Sequence, residues 1–370
     1  MTSRPAICFL TGTLNAFAGA ERVTATIANE LAARGYRVHI LSLWDRGSCF
    51  ALHSAITHDA LFDQRPSFKR AYLQTVRGIR QYIVRHRVDV LIDVDTMLTL
   101  FTLPATFGLP TRRVSWEHCN FDQDLGKPTR RLARRLAARF NARVVVLTER
   151  DRARWQSALS YPHNIVAIPN PLPFDLPDSP ASRLHPTVLA VGRLSQAKGF
   201  DILLRAWSEV RHVYPEWKLQ IVGEGEERGA LEKLRSELGL EPSVSLPGAR
   251  ADIDAAYRDA SIFCLSSRYE GFGLVLLEAM AFGLPIVSAA CETGPKALLE
   301  DGVQAVMVPT DTPQALAQAL IRVIGDPQLQ QSLAVAGRAM AAGYAIGQIV
   351  AQWETLLTVP AGQTDSGIKA

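Results

Sequence analysis

Residues 169–186 read PNPLPFDLPDSPASRLHP and hold six of the chain's 21 prolines. Proline fixes φ and removes an amide donor, so neither a helix nor a central strand can run through this stretch. The 370 residues therefore fold as two bodies joined by a linker, which also suits their number, since a single core stops growing efficiently below this length.

On both sides of the linker, short apolar runs alternate with helical patterns. AICFL leads through a Gly/Ala-rich turn into a predicted helix from Ala20 to Arg34, with Val23, Ile27 and Leu31 on one face and Gly35 at its end. VHILSL, a helix over Ser67–Arg87, DVLIDV, RRVSW, a basic helix and RVVVLT follow. After the linker, TVLAVG, KLQIVG, VSLPG, SIFCLS, LPIVS and AVMVP read as strands separated by helices. Alternation of this kind in each half predicts two α/β domains, each a doubly wound parallel sheet.

With 48% hydrophobic and 21% charged residues the chain can bury substantial cores, which excludes a disordered or fibrous protein. Five scattered cysteines without C-x-x-C support neither a zinc site nor a disulfide framework, and reduced cytosol is the expected compartment. MTSRPAICFL lacks a signal-peptide pattern. The uncharged run Thr96–Thr111 is short and broken by Pro104 and Pro110, so no membrane span is expected. Beyond about Pro360 the composition predicts disorder.

Charge is unevenly spread. Residues 1–172 carry 24 Lys+Arg against 13 Asp+Glu, whereas residues 173–370 carry 16 against 23. In the basic half, a helical wheel of KPTRRLARRLAARF (127–140) puts Lys127, Arg130, Arg131, Arg134, Arg135 and Arg139 on one side and Leu132, Ala133, Leu136, Ala137 and Phe140 on the other. With the second basic helix at 67–87, this suits an anionic lipid surface or a phosphorylated acceptor; an ordinary solvated face has the same pattern.

Four other segments have chemical potential. In EGFGLVLLEAMAFGLPIVS (270–288), Glu270 precedes a Gly271–Phe272–Gly273 turn, a helix begins near Leu274, and Glu278 falls among apolar neighbours, where a carboxylate needs hydroxyl or amide donors. Two such carboxylates could hold the vicinal hydroxyls of two sugars; the bland alternative makes them ordinary turn and helix residues. In TVLAVGRLSQAKGFDILLRAW (187–207), Arg193 and Lys198 lie between a strand and a helix, which suits a diphosphate or simply a solvated loop. TGTLNAFAGAER (11–22) brings Gly19 to a helix start, for a phosphate or sugar oxygen or as a plain helix entry. In VSWEHCNFDQD (114–124), Glu117 and His118 should reach the carboxyl edge of the sheet, where ligands bind, although a lone histidine is more often structural. The D-x-D at Asp93–Asp95 lies in an apolar strand without a third oxygen ligand nearby, so no metal is expected.

Taken together and in order, AGAER, GRLSQAKGF, EGFGLVLLE and GYAIGQIVAQWETLL resemble glycosyltransferase family 4, the retaining GT-B enzymes, over nearly the whole chain. The resemblance implies two Rossmann-like domains facing a cleft. These would be residues 1–172 for the acceptor and membrane and 173–343 for the nucleotide-sugar, with a helix over 344–357 crossing back to the first domain and a tail over 358–370. It implies that Arg193 and Lys198 neutralise the donor diphosphate, Glu278 holds ribose, Glu270 and His118 contact the transferred sugar, and Gly19 approaches the donor phosphate. Gly271, Phe272, Gly273 and Leu274 would complete the donor site, and Lys127, Arg130, Arg131, Arg134 and Arg135 would meet the acceptor and membrane. Ala18 replaces the first glycine of the family's usual loop.

Retention would proceed by front-face attack, without metal or cofactor. The overall pattern looks most like enzymes that extend polyprenyl-diphosphate-linked glycans from UDP-hexoses or UDP-N-acetylhexosamines, at the inner face of the bacterial cytoplasmic membrane. GDP-mannose as donor and a nucleotide-sugar epimerase on the same scaffold remain alternatives. A nucleic-acid-binding role is disfavoured, because no motif of that kind accompanies the basic helices.

Overall fold

The computed structural model describes residues 4–124, 126–160, 163–250 and 252–358, so the expected disorder beyond Pro360 lies outside the described residues. The chain divides into two compact units, Met1–Pro173 with Ile346–Ala370, and Phe174–Ala345.

The first unit is built on strands β1 (Ala6–Thr11), β2 (Arg37–Trp44), β3 (Thr57–Phe62), β4 (Val90–Asp93), β5 (Arg112–Trp116), β6 (Arg143–Val146) and β7 (Ile165–Ala167). They form one sheet in the order β3-β2-β1-β4-β5-β6-β7, and every pairing is parallel. The second unit holds β8 (Thr187–Val191), β9 (Lys218–Val222), β10 (Val244–Gly248), β11 (Ile262–Leu265), β12 (Ile286–Ala289) and β13 (Ala305–Val308). Their order is β10-β9-β8-β11-β12-β13, again all parallel.

Parallel neighbours must be joined by a return crossover, usually a helix, and helices on the faces leave the strands buried. Accordingly, β1, β4, β11 and β12 are buried at every residue. In the second unit the core gathers Trp207, Leu203, Val188, Leu219, Cys264 and Leu320.

Two differences from the sequence reading concern the first unit. β3 and β7 were not predicted: THDALF mixes charged and apolar residues because β3 lies at the edge of the sheet, and β7 has only three residues. The predicted helix over Ser67–Arg87 begins at Tyr72, after a turn in which Arg70 and Ala71 donate their amides to the Ser67 carbonyl.

The helix Ile346–Thr358 belongs to the first unit although it follows the second in sequence. Its buried Trp353 meets Trp116 edge-on, with ring centroids 4.9 Å apart, and Glu354 pairs with Arg34 at 2.7 Å. Arg112 donates to the Leu356 and Leu357 carbonyls at 3.0 and 2.6 Å, so a cation from β5 caps the C-terminal end of this helix. The apolar stretch Pro327–Thr358 is long enough to cross a bilayer by composition, but it breaks at Gly343 into two helices. Leu333, Ala334 and Ala341 of one helix, and Ile349, Val350 and Trp353 of the other, are buried within protein.

A fully buried tryptophan replaced by alanine typically costs about 3–5 kcal/mol. Trp353→Ala is therefore expected to lower the urea midpoint of the first unit strongly, measured by denaturation. A loss below about 1 kcal/mol would mean that this helix contributes little to the unit.

Candidate active site

In an open parallel sheet, ligands bind beyond the carboxyl ends of the strands where the winding reverses. The two reversals here lie between β1 and β4 and between β8 and β11. Arg193, Lys198, Glu270, Gly271, Phe272, Gly273 and His118 fall on loops leaving these strands or their neighbours, Gly19 opens the helix after β1, and Leu274, Glu278, Arg130, Arg131, Arg134 and Arg135 lie on helices.

At the reversal in the second unit, the loop after β8 carries Arg193 and Lys198 and the loop after β11 carries Glu270. Gly199 locks these loops together: its φ is +61°, and a Cβ there would lie 2.3 Å from the Ser266 carbonyl oxygen, so only glycine fits. The Ser266 hydroxyl donates to the Lys198 carbonyl at 2.9 Å, and the Arg268 amide donates to the Ala197 carbonyl at 2.8 Å. Lys198 Nζ then reaches Glu270 Oε2 at 2.6 Å, and Ser267 donates to the same oxygen at 3.3 Å. Both members of the pair are largely buried, with side-chain exposures of 20% and 14%. Arg193 is more open and pairs with Glu226 at 3.0 Å, across side chains 69% and 55% exposed. An exposed pair of this kind contributes little, so Arg193 can exchange its partner cheaply.

Gly273, at φ +88°, caps the helix Leu274–Ala281. Phe272 is buried and its ring lies edge-on to Tyr344, so its side chain serves packing. Glu278 is 2% exposed and accepts a 2.7 Å bond from the Tyr257 hydroxyl, whose ring stacks on Phe282. The hydroxyl donor that a carboxylate in this setting requires is thus supplied in part by the protein itself. Nothing in the sequence pointed to Tyr257, which lies 21 residues upstream. Nor did it reveal Arg268, which grips Asp201 through two 2.8 Å bonds and also pairs with Asp311 at 2.7 Å, fixing the base of the Lys198 loop.

At the reversal in the first unit, the helix Gly19–Ala33 starts with Gly19 exposed and open space where a Cβ would stand. Ala18, in place of the glycine usual in the resembling loop, has φ −134° and ψ 164°, an extended conformation any residue adopts.

Glu117 follows β5 and is wholly buried. Its Oε2 accepts from Thr96 at 2.5 Å and from Arg134 Nε at 3.0 Å; its Oε1 accepts from Arg130 Nη1 and from the Cys119 amide, both at 3.1 Å. Arg130 also holds Asp95 through bonds of 2.9 and 2.8 Å, and Arg134 donates to the carbonyls of Asn120, Phe121 and Gln123. This overturns the acceptor-facing reading of Arg130 and Arg134. They are 4% and 2% exposed and face inward with Ala133, Ala137 and Ala138, because buried carboxylates stand opposite them. The helix is correspondingly rotated from the predicted wheel, leaving Leu132 and Phe140 exposed at 52% and 49%. Lys127, Arg131 and Arg135 are exposed, and Arg131 pairs with Asp124 at 2.6 Å.

His118 packs on Trp116 with centroids 4.4 Å apart, and its buried Nε2 has no hydrogen-bond partner among the described residues. Burial pushes its pKa down to about 4 against the opposing pull of Asp95, so the ring is neutral at pH 7. Beneath the site, Asp93 accepts from Thr102 at 2.8 Å and Thr99 at 3.3 Å, yet burial raises it to about 7. Among the described residues no group of three or more His, Cys, Asp or Glu is placed to hold a metal ion.

The raised Asp93 binds a proton in the folded chain between pH 4 and 7 that the unfolded chain has released. Its contribution to stability is therefore present at low pH and lost as pH rises through about 7. Asp93→Asn should be more stabilising at pH 8 than at pH 5, by on the order of 2 kcal/mol, in urea denaturation at both values. Equal effects at the two pH values would contradict the shift.

The family described as Glycosyltransferase Family 4 matches residues 17–176, and that described as Glycosyl transferases group 1 matches residues 185–326. A glycosyltransferase of Haemophilus influenzae, itself uncharacterized, is 34% identical over 92% of this chain and 96% of its own length. An α-1,4-N-acetyl-D-galactosaminyltransferase of Campylobacter jejuni, named for a GalNAc-containing glycan on undecaprenyl diphosphate, is 26% identical over 95% of this chain and 98% of its own. The crystal structure of Anabaena HepE with UDP superposes with a TM-score of 0.78 at 25% identity, covering 96% of this chain and all of that one. The chain belongs to glycosyltransferase family 4, and its two parallel-sheet units have the GT-B fold.

Proposed function

We propose that this glycosyltransferase moves a hexose or N-acetylhexosamine, with retention, from a UDP-sugar to a lipid-linked glycan at the inner face of the cytoplasmic membrane. The observation that carries the donor half is the Lys198–Glu270 pair, made by two loops that meet at the sheet reversal of the second unit. A diphosphate entering there competes for the Lys198 ammonium. Lys198 and Arg193 turn to the phosphate oxygens, and the Glu270 oxygen released from Lys198 accepts sugar hydroxyls. Glu278 takes the ribose hydroxyls. The UDP complex of the Anabaena relative supports a uridine donor.

In the reaction the bond from C1 to the diphosphate oxygen breaks and a bond from C1 to the acceptor oxygen forms on the same face. The acceptor proton passes to a phosphate oxygen, while Arg193 and Lys198 stabilise the charge that grows on the leaving diphosphate. Neutral His118 offers a hydrogen bond to the transferred sugar. No protein carboxylate is required as nucleophile, and no metal ion or cofactor is called on.

The Campylobacter relative supports a lipid-linked acceptor. With Arg130 and Arg134 buried, the surface best suited to a bilayer is the helix Tyr72–His86. Leu73 and Val84, exposed at 64% and 56%, share one stripe of that helix with Arg77. Arg80 donates to the Ala105 and Phe107 carbonyls, which brings Phe107, 83% exposed, beside the stripe. Apolar side chains among cations are what an anionic lipid surface selects.

Three experiments test these assignments. Lys198→Ala and Arg193→Ala should each lower turnover at least tenfold, since single electrostatic stabilisers contribute about 2–4 kcal/mol to a transition state, and Glu278→Gln should weaken UDP binding in calorimetry. Wild-type turnover in both cation variants, or no UDP binding by the wild type, would refute the donor site. The triple variant Leu73→Ser, Val84→Ser, Phe107→Ser should lose at least fivefold in sedimentation with phosphatidylglycerol vesicles. Unchanged sedimentation would refute this membrane face.

A further inference from the structure

Glu117 is a buried carboxylate with no role in the donor chemistry above, yet its oxygens receive four hydrogen bonds. Its donors come from three separate places: Thr96 in the turn after β4, Arg130 and Arg134 on the helix Pro128–Phe140, and the Cys119 amide just beyond His118. Burying a carboxylate is unfavourable unless it is paired and hydrogen-bonded, and four donors drawn from separate segments specify one arrangement of those segments. The segment so specified is 117–123. Glu117 binds the amide two residues on, while Arg134 holds the Asn120, Phe121 and Gln123 carbonyls. Arg134 also lies over the rings of Phe121 and Trp155, at 5.7 and 5.8 Å.

His118 stands inside this clamped segment, and its buried Nε2 has no hydrogen-bond partner among the described residues, so no bond at that nitrogen fixes the ring's direction. The direction comes instead from the backbone on either side and from the Trp116 face. Arg130 and Arg134 stand against the carboxylates of Asp95 and Glu117, and Asp151, close enough to interact with Glu117 and Arg134, accepts the Phe121 amide of the same segment at 2.8 Å.

We propose that Glu117 is a positioning residue for His118: held by Thr96, Arg130 and Arg134, it fixes the 117–123 backbone so that the imidazole presents an unfilled nitrogen to the transferred sugar. The inference rests on His118 meeting that sugar, as read above. It adds a specific division of labour on one helix: Arg130 and Arg134 serve the clamp, and the exposed Arg131 and Arg135 do not.

The test uses full-length protein, the UDP-sugar it turns over, and four variants: His118→Ala, Glu117→Gln, Thr96→Val and Arg134→Lys. Thr96→Val keeps shape, removes one donor and leaves both arginines in place, so it decides the matter if Glu117→Gln fails to fold. Glu117→Gln should lower kcat at least tenfold, and Thr96→Val at least threefold, with the donor KM changed less than threefold and UDP affinity unchanged. Arg134→Lys, which keeps the charge but loses the fork, should fall with Thr96→Val rather than with the wild type. The His118 imidazole resonance, assigned from His118→Ala, should move in the spectra of Thr96→Val and Glu117→Gln without added ligand. A merely structural role would lower thermal stability and leave that resonance and kcat where they are. If His118→Ala retains wild-type kcat, the reading of His118 itself fails. If His118→Ala loses kcat while Thr96→Val and any folded Glu117→Gln keep it, the reading stands and the positioning role is overturned.

Discussion

Because two parallel strands cannot be joined at their near ends, each connection must return along the face of the sheet, and each loop entering a helix leaves from the carboxyl edge. In this chain that constraint operates twice. The winding begins at a central strand, β1 or β8, runs to one side and then reverses to the other. At each reversal neighbouring loops diverge, leaving a crevice above the sheet. Arg193, Lys198 and Glu270 in one unit and Gly19 in the other occupy loops at or beside these crevices, and Glu117 and His118 leave the strand next to β4. The rest of each sheet is a scaffold, buried because helices cover both faces.

The second requirement is that charge brought to such an edge must be compensated before a substrate arrives. In the second unit Lys198 and Glu270 compensate each other within an exchangeable pair, partly open to water. In the first unit the compensation is permanent: Glu117 and Asp95 are matched by two buried guanidinium groups, and removing a partner would leave a buried charge that typically costs about 3–5 kcal/mol. The proposed donor would break the Lys198–Glu270 pair, whereas the Glu117 network resists breaking. The Lys198 and Glu270 side chains are 20% and 14% exposed, against 0% for Glu117 and 5% and 2% for Arg130 and Arg134, while Asp95 at the edge of the network is 33% exposed.

Much of this could be read in the sequence where a single local pattern carries the information. All six strands of the second unit announced themselves as apolar runs, and the turn at Gly271–Gly273 correctly preceded a helix from Leu274. Edge strand β3 escaped, because THDALF is half exposed and lacks the apolar continuity of a central strand. Arg130 and Arg134 were misplaced for a deeper reason. A helical wheel sorts residues by polarity, and the partner that makes an arginine an inside residue lies elsewhere in the chain: Glu117 is 13 and 17 positions away, and Asp95 is 35. The same distance hid the Tyr257 hydroxyl from Glu278. Pairing across space, unlike periodicity, leaves no mark within a window of sequence.

The central claim is that the donor diphosphate sits on the loops leaving β8 and β11. Amide hydrogen exchange with and without UDP tests it most directly, because it reports binding along the whole chain without requiring the acceptor or the sugar to be known. The account predicts slowed exchange over 192–200 and 268–278 on adding UDP, with β3 and the helix Tyr72–His86 unchanged. Protection confined to the first unit, with the Lys198 and Glu270 loops exchanging as before, would contradict it.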